Sequence, residues 1–242
     1  MKRTIVADGR RIEYTLIQSP RNTVLFQALP EGMIRVYAPK FMHLRDIDRM
    51  VRERAGQLGE MSRSLDQRLE ADRRAHPVTD GSPIMIEGVP HTICIRDGGR
   101  AGGEVLPGEL RLTLPGWDPA AAEAMDVDVR GLIRGTLSAM ALRRIRERVA
   151  HFAPLVGRQP GRITIREQKT RWGSCSGKGN LNFNWKLIMA PPQVLDYVVI
   201  HELCHLYEFN HSPRFWALVA AQMPDYEIWK KWLKNHRDDL YL

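Results

Sequence analysis

The run Val198-Val199-Ile200-His201-Glu202-Leu203-Cys204-His205, with Asn210-His211-Ser212-Pro213 just beyond it, sets the expectations for the whole chain. On an α-helix, positions four apart share a face, so His201 and His205 can grip one cation while Glu202 projects beside them. A zinc ion held by three protein groups keeps a fourth position open for water, and a neighbouring carboxylate can take the proton which that water loses. His-Glu-x-x-His on a helix is therefore the pattern of a hydrolytic zinc site. By residue frequencies the five-residue pattern arises by chance in roughly one chain in a hundred of this length, so its surroundings have to carry the reading.

Ala190-Pro191-Pro192-Gln193 suits a helix start, because proline is tolerated in the first turn. Val194, Leu195, Val198, Val199, Leu203 and Leu206 then fall all round the helix, which marks it as buried. Two imidazoles and a carboxyl group buried there without partners would cost several kcal/mol. A bound metal removes that cost.

The third ligand requires the chain to leave the helix and turn back. Some zinc peptidases do this with a glycine three residues after the second histidine, but here that position is Glu208. Asn210 is expected to make the turn through a left-handed backbone conformation. Ser212 then reads as an N-cap and Pro213 as the first position of a helix running through Val219, which leaves His211 at a junction between helices. His211 is favoured over Glu208 and Glu227 because three histidines are a recurrent catalytic zinc set. Cys204 lies inside the motif, yet on a helical wheel it points away from His201 and His205.

Four blocks in order, Arg171-Trp172-Gly173-Ser174-Cys175-Ser176, Leu181-Asn182-Phe183-Asn184-Trp185-Lys186-Leu187, Tyr197 to His205 and Asn210 to Trp216, resemble the YgjP-like metallopeptidase domain. The likeness is close from about Leu142 to His236 and looser before that. It implies a zinc peptidase with Zn2+ as cofactor, His201, His205 and His211 as ligands, Glu202 as general base, and a peptide or protein as substrate. The family is distantly related to SprT-like zinc proteases, some of which cut proteins crosslinked to DNA, a substrate that does not carry over at that distance. The fold class expected is α+β: a zincin-type core of short mixed sheet plus active-site helix, with a β-rich N-terminal subdomain and long helices. Residues 1–120 are assigned to the β-rich part with one long helix and residues 121–242 to the catalytic domain.

The 242 residues suffice to bury about three quarters of the unfolded surface. No stretch approaches the roughly twenty apolar residues of a membrane span, and Met1-Lys2-Arg3-Thr4 is not followed by a signal-type core, so a cytoplasmic protein without membrane contact is expected. Three cysteines, Cys94, Cys175 and Cys204, are too few and scattered for a disulfide framework. The net charge of +8 admits a nucleic-acid partner, but the basic run Arg143-Arg144-Ile145-Arg146-Glu147-Arg148 is explained as well by a solvated helix face.

Arg11 to Ile17, Thr23 to Ala28 and Met33 to Tyr37 alternate as strands, with turn signals at Ser19-Pro20 and Pro30-Glu31-Gly32, and Ala38-Pro39 is expected to end the sheet. One helix is expected from about Leu44 to Leu69. A second β group follows at Ile84 to Glu87, His91 to Arg96 and Glu109 to Leu114, with the glycine-rich Asp97 to Gly103 as a flexible loop. Both groups end in strand, proline, helix, a similarity too faint to name a repeat. A helix from about Val127 to Phe152, stopped by Pro154 and Gly157 to Gly161, leads to strands at Arg162 to Gln168, Arg171 to Cys175 and Leu181 to Leu187.

Peptidases with this strand-then-helix order commonly hold an extended peptide along a sheet edge, which makes Arg171 and Trp172 candidates for substrate contact. Their plainer role is packing. His43, His76, His91, His151 and His236 lack ligand spacing. Tyr197, Tyr226 and Arg171 are candidates to steady the oxyanion. Two other classes stay open beside the zinc endopeptidase: a non-proteolytic metal-binding module, which would tolerate loss of Glu202, and a DNA-associated protein, with or without cleavage of DNA-bound proteins.

Overall fold

In a computed structural model the described residues are 1–7, 9–29, 32–75, 78–168, 171–237 and 240. Pro30 and Glu31 of the expected turn, and His76, lie outside them. The backbone divides into two compact units, Met1–His76 and Pro77–Leu242.

The first unit is a four-stranded sheet of β1 (Lys2–Ala7), β2 (Arg10–Ser19), β3 (Leu25–Ala28) and β4 (Ile34–Pro39), followed by α1 (Leu44–Glu53) and α2 (Ala55–Ala75). The spatial order is β1-β2-β4-β3, with β2 and β4 parallel and both outer pairs antiparallel. Alternation places Tyr14, Leu16, Ile34 and Val36 inside, where Ile47 and Val51 of α1 and Leu58 of α2 close a small core. Arg3 and the Tyr14 hydroxyl both donate to the Asp48 carboxylate, at 2.6 and 2.5 Å, tying sheet to helix.

Three details differ from expectation. Strand β1 adds an edge that composition did not announce. Strand β4 runs through Pro39, its last residue, paired with Ser19, a strand end where a missing N–H costs little. The single long helix is two, parted where Arg54 leaves helical geometry (φ −106°, ψ 5°) and lies over the Phe26 ring at 4.9 Å.

The second unit begins with the same topology. Strands β5 (Pro83–Ile86), β6 (Val89–Arg96), β7 (Gly102–Leu106) and β8 (Glu109–Thr113) lie in the order β5-β6-β8-β7, again with a parallel central pair. Strand β7 occupies part of the stretch expected as loop. A Cβ on Gly103 would lie 2.1 Å from Thr136 Oγ1 and 3.0 Å from Leu112 Cδ2, so this glycine permits close packing rather than flexibility. Helix α3 (Ala122–Val156) continues through Pro154 and ends at Gly157 in left-handed geometry (φ 82°), past the expected stop at Phe152.

A three-stranded sheet follows, β9 (Ile163–Arg166), β10 (Gly173–Cys175) and β11 (Leu181–Asn184), ordered β10-β11-β9 with β9 parallel and β10 antiparallel to β11. A 3-10 turn at Trp185–Met189 replaces the end of the expected third strand, because the Asn184 side chain caps it by accepting from Lys186 N at 3.1 Å. Helices α4 (Pro192–Cys204), α5 (Pro213–Gln222) and α6 (Tyr226–Asn235) complete the unit.

Ile86, Ile93, Leu110 and Leu112 of the β5–β8 sheet share one core with Ile133, Leu137 and Ile145 of α3 and with Phe183, Trp185, Val199 and Leu203. That shared core ties the β5–β8 sheet to the elements that follow it within the unit Pro77–Leu242. Overall the architecture is α+β, and among the described residues no helix is long and apolar enough to cross a membrane.

Candidate metal centre

Helix α4 carries the site because nearly every side is buried: Val194, Leu195, Val198, Val199, Ile200, Leu203 and Cys204 all pack inward. Its start matches expectation, with Pro191 as N-cap and Pro192 first in the helix. His201 and His205 lie one turn apart on the face that opens to solvent.

Past His205 the chain turns through Leu206 to Asn210. No non-glycine residue other than Glu87 has positive φ among those described, so Asn210 does not turn the chain through the left-handed region as expected. Its carboxamide oxygen instead accepts from Ser212 N at 3.1 Å, an Asx turn that reverses the chain without a special backbone angle. Ser212 Oγ accepts from Phe215 N at 3.3 Å, and Pro213 opens α5, as the sequence indicated.

This brings the three histidines together. Nε2 of His201 lies 3.1 Å from Nε2 of His205 and 3.1 Å from Nε2 of His211. His205 Nδ1 donates to Glu208 O at 2.9 Å, which fixes its tautomer and leaves a bare Nε2 aimed at the cluster. Burial, then the neighbouring His205, His211 and Lys230, hold His201 down to about 3, and burial also lowers His205, so both rings are neutral with lone pairs free near pH 7. One ring N–H on His201 cannot serve both neighbours, whereas a cation satisfies all three nitrogens. A tetrahedral zinc with bonds of about 2.0–2.1 Å needs ligands about 3.3 Å apart, and the two 3.1 Å separations from His201 are close to that. Phe215 stacks on His205 at 4.5 Å between centroids and Trp216 on His211 at 5.6 Å, so the rings are clamped by α5.

Glu202 is only 4% exposed, and its Oε2 has no hydrogen-bond partner. Burial pushes its carboxyl up to about 8, with the Arg171 charge pulling the other way. The space beside it is a cavity of about 490 Å³ lined by Arg171, Trp172, Gly173, Tyr197 and Phe209 together with Glu202 and the three histidines. Strand β10 passes so close that a Cβ on Gly173 would lie 2.5 Å from Glu202 Oε1 and 2.8 Å from its Cδ.

Sequence reasoning singled out His201, Glu202, His205, His211, Arg171 and Trp172, and the fold brings all six to this cavity. Tyr197 lines it too. Tyr226 is not among its walls and stacks instead on Trp216 at 5.3 Å. The rival ligands stand apart from the cluster: the Glu227 carboxylate accepts from Lys230 at 3.1 Å, and Glu208 Oε2 lies 3.9 Å from Arg214. Cys204 is fully buried away from the cluster. Gly173 was missed as a site residue, although an isolated glycine in a strand is itself a sign of close approach.

These features define a metallopeptidase by class, and the comparison of sequences places it. The chain belongs to the YgjP-like metallopeptidase domain family, whose sequence profile matches residues 22–236. The family implies a metal ion, for which the histidine triad is a fitting site. No curated protein matches the chain. Among solved structures, the metallopeptidase zymogen of Pyrococcus abyssi abylysin is 22% identical, with a TM-score of 0.36 over 38% of this chain and 95% of that one. The zymogen of Methanocaldococcus jannaschii jannalysin is 21% identical, with a TM-score of 0.34 over 39% of this chain and 95% of that one.

Proposed function

We propose that this chain is a zinc-dependent endopeptidase with a zincin-type core formed by the β9–β11 sheet and α4. In this reading His201, His205 and His211 hold Zn2+ through their Nε2 atoms and Glu202 is the general base. The observation that carries it is the convergence of three Nε2 atoms beside an unpartnered Glu202 carboxylate in one cavity. A zinc ion bound there supplies Lewis acidity, which polarises a carbonyl and makes water easier to deprotonate.

Glu202 moves the proton. Its Oε2 accepts from the attacking water and returns the proton to the leaving nitrogen, and a cation on the adjacent histidines would favour the ionised carboxylate this needs against the burial that raises it. Strand β10 lies at the edge of its sheet, so its outer backbone groups can pair with an extended peptide or protein segment. Arg171 and Trp172 immediately precede that edge and line the cavity, which makes them the proposed substrate contacts. Tyr197, one turn ahead of His201 and in the cavity wall, is the proposed donor to the developing oxyanion.

Glu202→Gln tests the reading. It should keep metal near the wild-type content, measured by plasma mass spectrometry, and lower casein cleavage by about 10²–10⁴-fold. Equal cleavage by the variant would remove Glu202 as base, and wild-type protein purified without bound zinc would end the zinc reading.

A further inference from the structure

The turn between His205 and His211 is held partly by its own atoms. Tyr207 N and Glu208 N donate to Cys204 O at 3.0 and 3.1 Å, His205 Nδ1 donates to Glu208 O, and Asn210 receives Ser212 N. These bonds are short in sequence range. A hold from outside the segment comes from Arg158, whose Nη1 donates to Leu206 O at 2.5 Å while its guanidinium lies 4.5 Å from the Tyr207 ring centroid. Leu206 O lies in the turn just past the end of α4, and a charged donor satisfies a carbonyl more strongly than a neutral one.

Arg158 reaches this carbonyl because of how α3 ends. Gly157 turns left-handed (φ 82°), and the N–H groups of Gly157 and Arg158 both return to Ala153 O, at 2.9 and 3.2 Å. A Cβ at position 157 would come within 3.0 Å of the Tyr207 hydroxyl, so helix end and ligand turn are in close contact. The guanidinium grips the first two residues of the turn that delivers the third histidine. His211 itself is exposed and sits on no regular element, so beside its stacking on Trp216 its place next to His201 depends on how firmly that turn is set.

We propose that Arg158 is a positioning residue for the third metal ligand: by fixing Leu206 and Tyr207 it pre-sets His211 beside His201 and so raises metal affinity. This rests on the metal-centre reading above. Ordering the turn before the metal arrives removes an entropic cost that binding would otherwise carry.

The test is a double-mutant cycle read by zinc affinity, with full-length wild type, Arg158→Ala, His211→Ala and the double variant each competed against a chromophoric chelator. Arg158→Ala should weaken zinc binding about tenfold, the lower end of what loss of a supporting residue costs. Arg158→Lys should recover part of that, since an ammonium restores a charged donor to Leu206 O. In the His211→Ala background, Arg158→Ala should change nothing further, because the ligand it positions is gone. A general weakening of the fold would lower affinity equally in both backgrounds and would overturn the proposal, as would unchanged affinity in Arg158→Ala alone. Should that variant not fold, Arg158→Met, which keeps the aliphatic stem and removes the donors, runs in the same cycle. Wild-type affinity in His211→Ala would remove His211 from the metal set and this proposal with it. A weakened His211→Ala beside an unaffected Arg158→Ala would remove this proposal alone.

Discussion

Gly173 and Glu202 occupy nearly the same space. The carboxylate has its position because the strand beside it carries no side chain at Gly173, and a methyl group there would meet Oε1, Cγ and Cδ at 2.5 to 2.8 Å. Gly173→Ala must therefore displace either the carboxylate or β10. A shift of about 1 Å in a catalytic group costs on the order of a hundredfold in rate, so under the proposed function cleavage should fall by about that factor while zinc content, which the proposed histidine ligands would set, stays near wild type. Unchanged casein turnover in Gly173→Ala would show that Glu202 does not need its present position. Such single residues divide sharply in how legible they were. His201, Glu202 and His205 announce themselves because helical spacing is a local property. Gly173 meets Glu202 only through tertiary packing, and Arg158 meets Leu206 across forty-eight positions of sequence. No window of residues displays either contact.

Elements follow the same division. The starts of α4 and α5 were readable because proline and serine mark helix starts through their own backbone chemistry, at Pro191–Pro192 and at Ser212–Pro213. Strand β7 was not, since its glycines look like loop until the close approach of Thr136 is known. Nor was the break between α1 and α2, where no proline or glycine sits at Arg54 and the interruption is made by packing near Phe26. The junction from β11 to α4 depends on one buried amide. Asn184 is 4% exposed, accepts from Lys186 N and donates to Gln168 O at 2.9 Å. Asn184→Ala would strand both backbone groups and should lower stability by about 2 kcal/mol in urea unfolding. A change under about 0.5 kcal/mol would mean that water replaces both bonds.

Across the whole chain, one pattern is laid down twice. Strand orders β1-β2-β4-β3 and β5-β6-β8-β7 have the same pairing senses, each with a parallel pair at the centre, and each unit keeps its own core. The echo of Val36-Tyr37-Ala38-Pro39 in Leu112-Thr113-Leu114-Pro115 was all the sequence offered of this, because sheet topology is set by which strands meet and not by which residues they contain. Tandem units of one topology have a characteristic hazard during folding. A strand from one unit can be accepted into the gap left in the other, and the resulting species must come apart before it can finish. Refolding from concentrated urea should therefore show a slow phase that is missing when residues 78–242 refold alone, followed by tryptophan fluorescence. Identical kinetics for the two would mean that side-chain differences between the sheets already exclude the exchange, and that the doubled pattern has been made safe by divergence of its sequence.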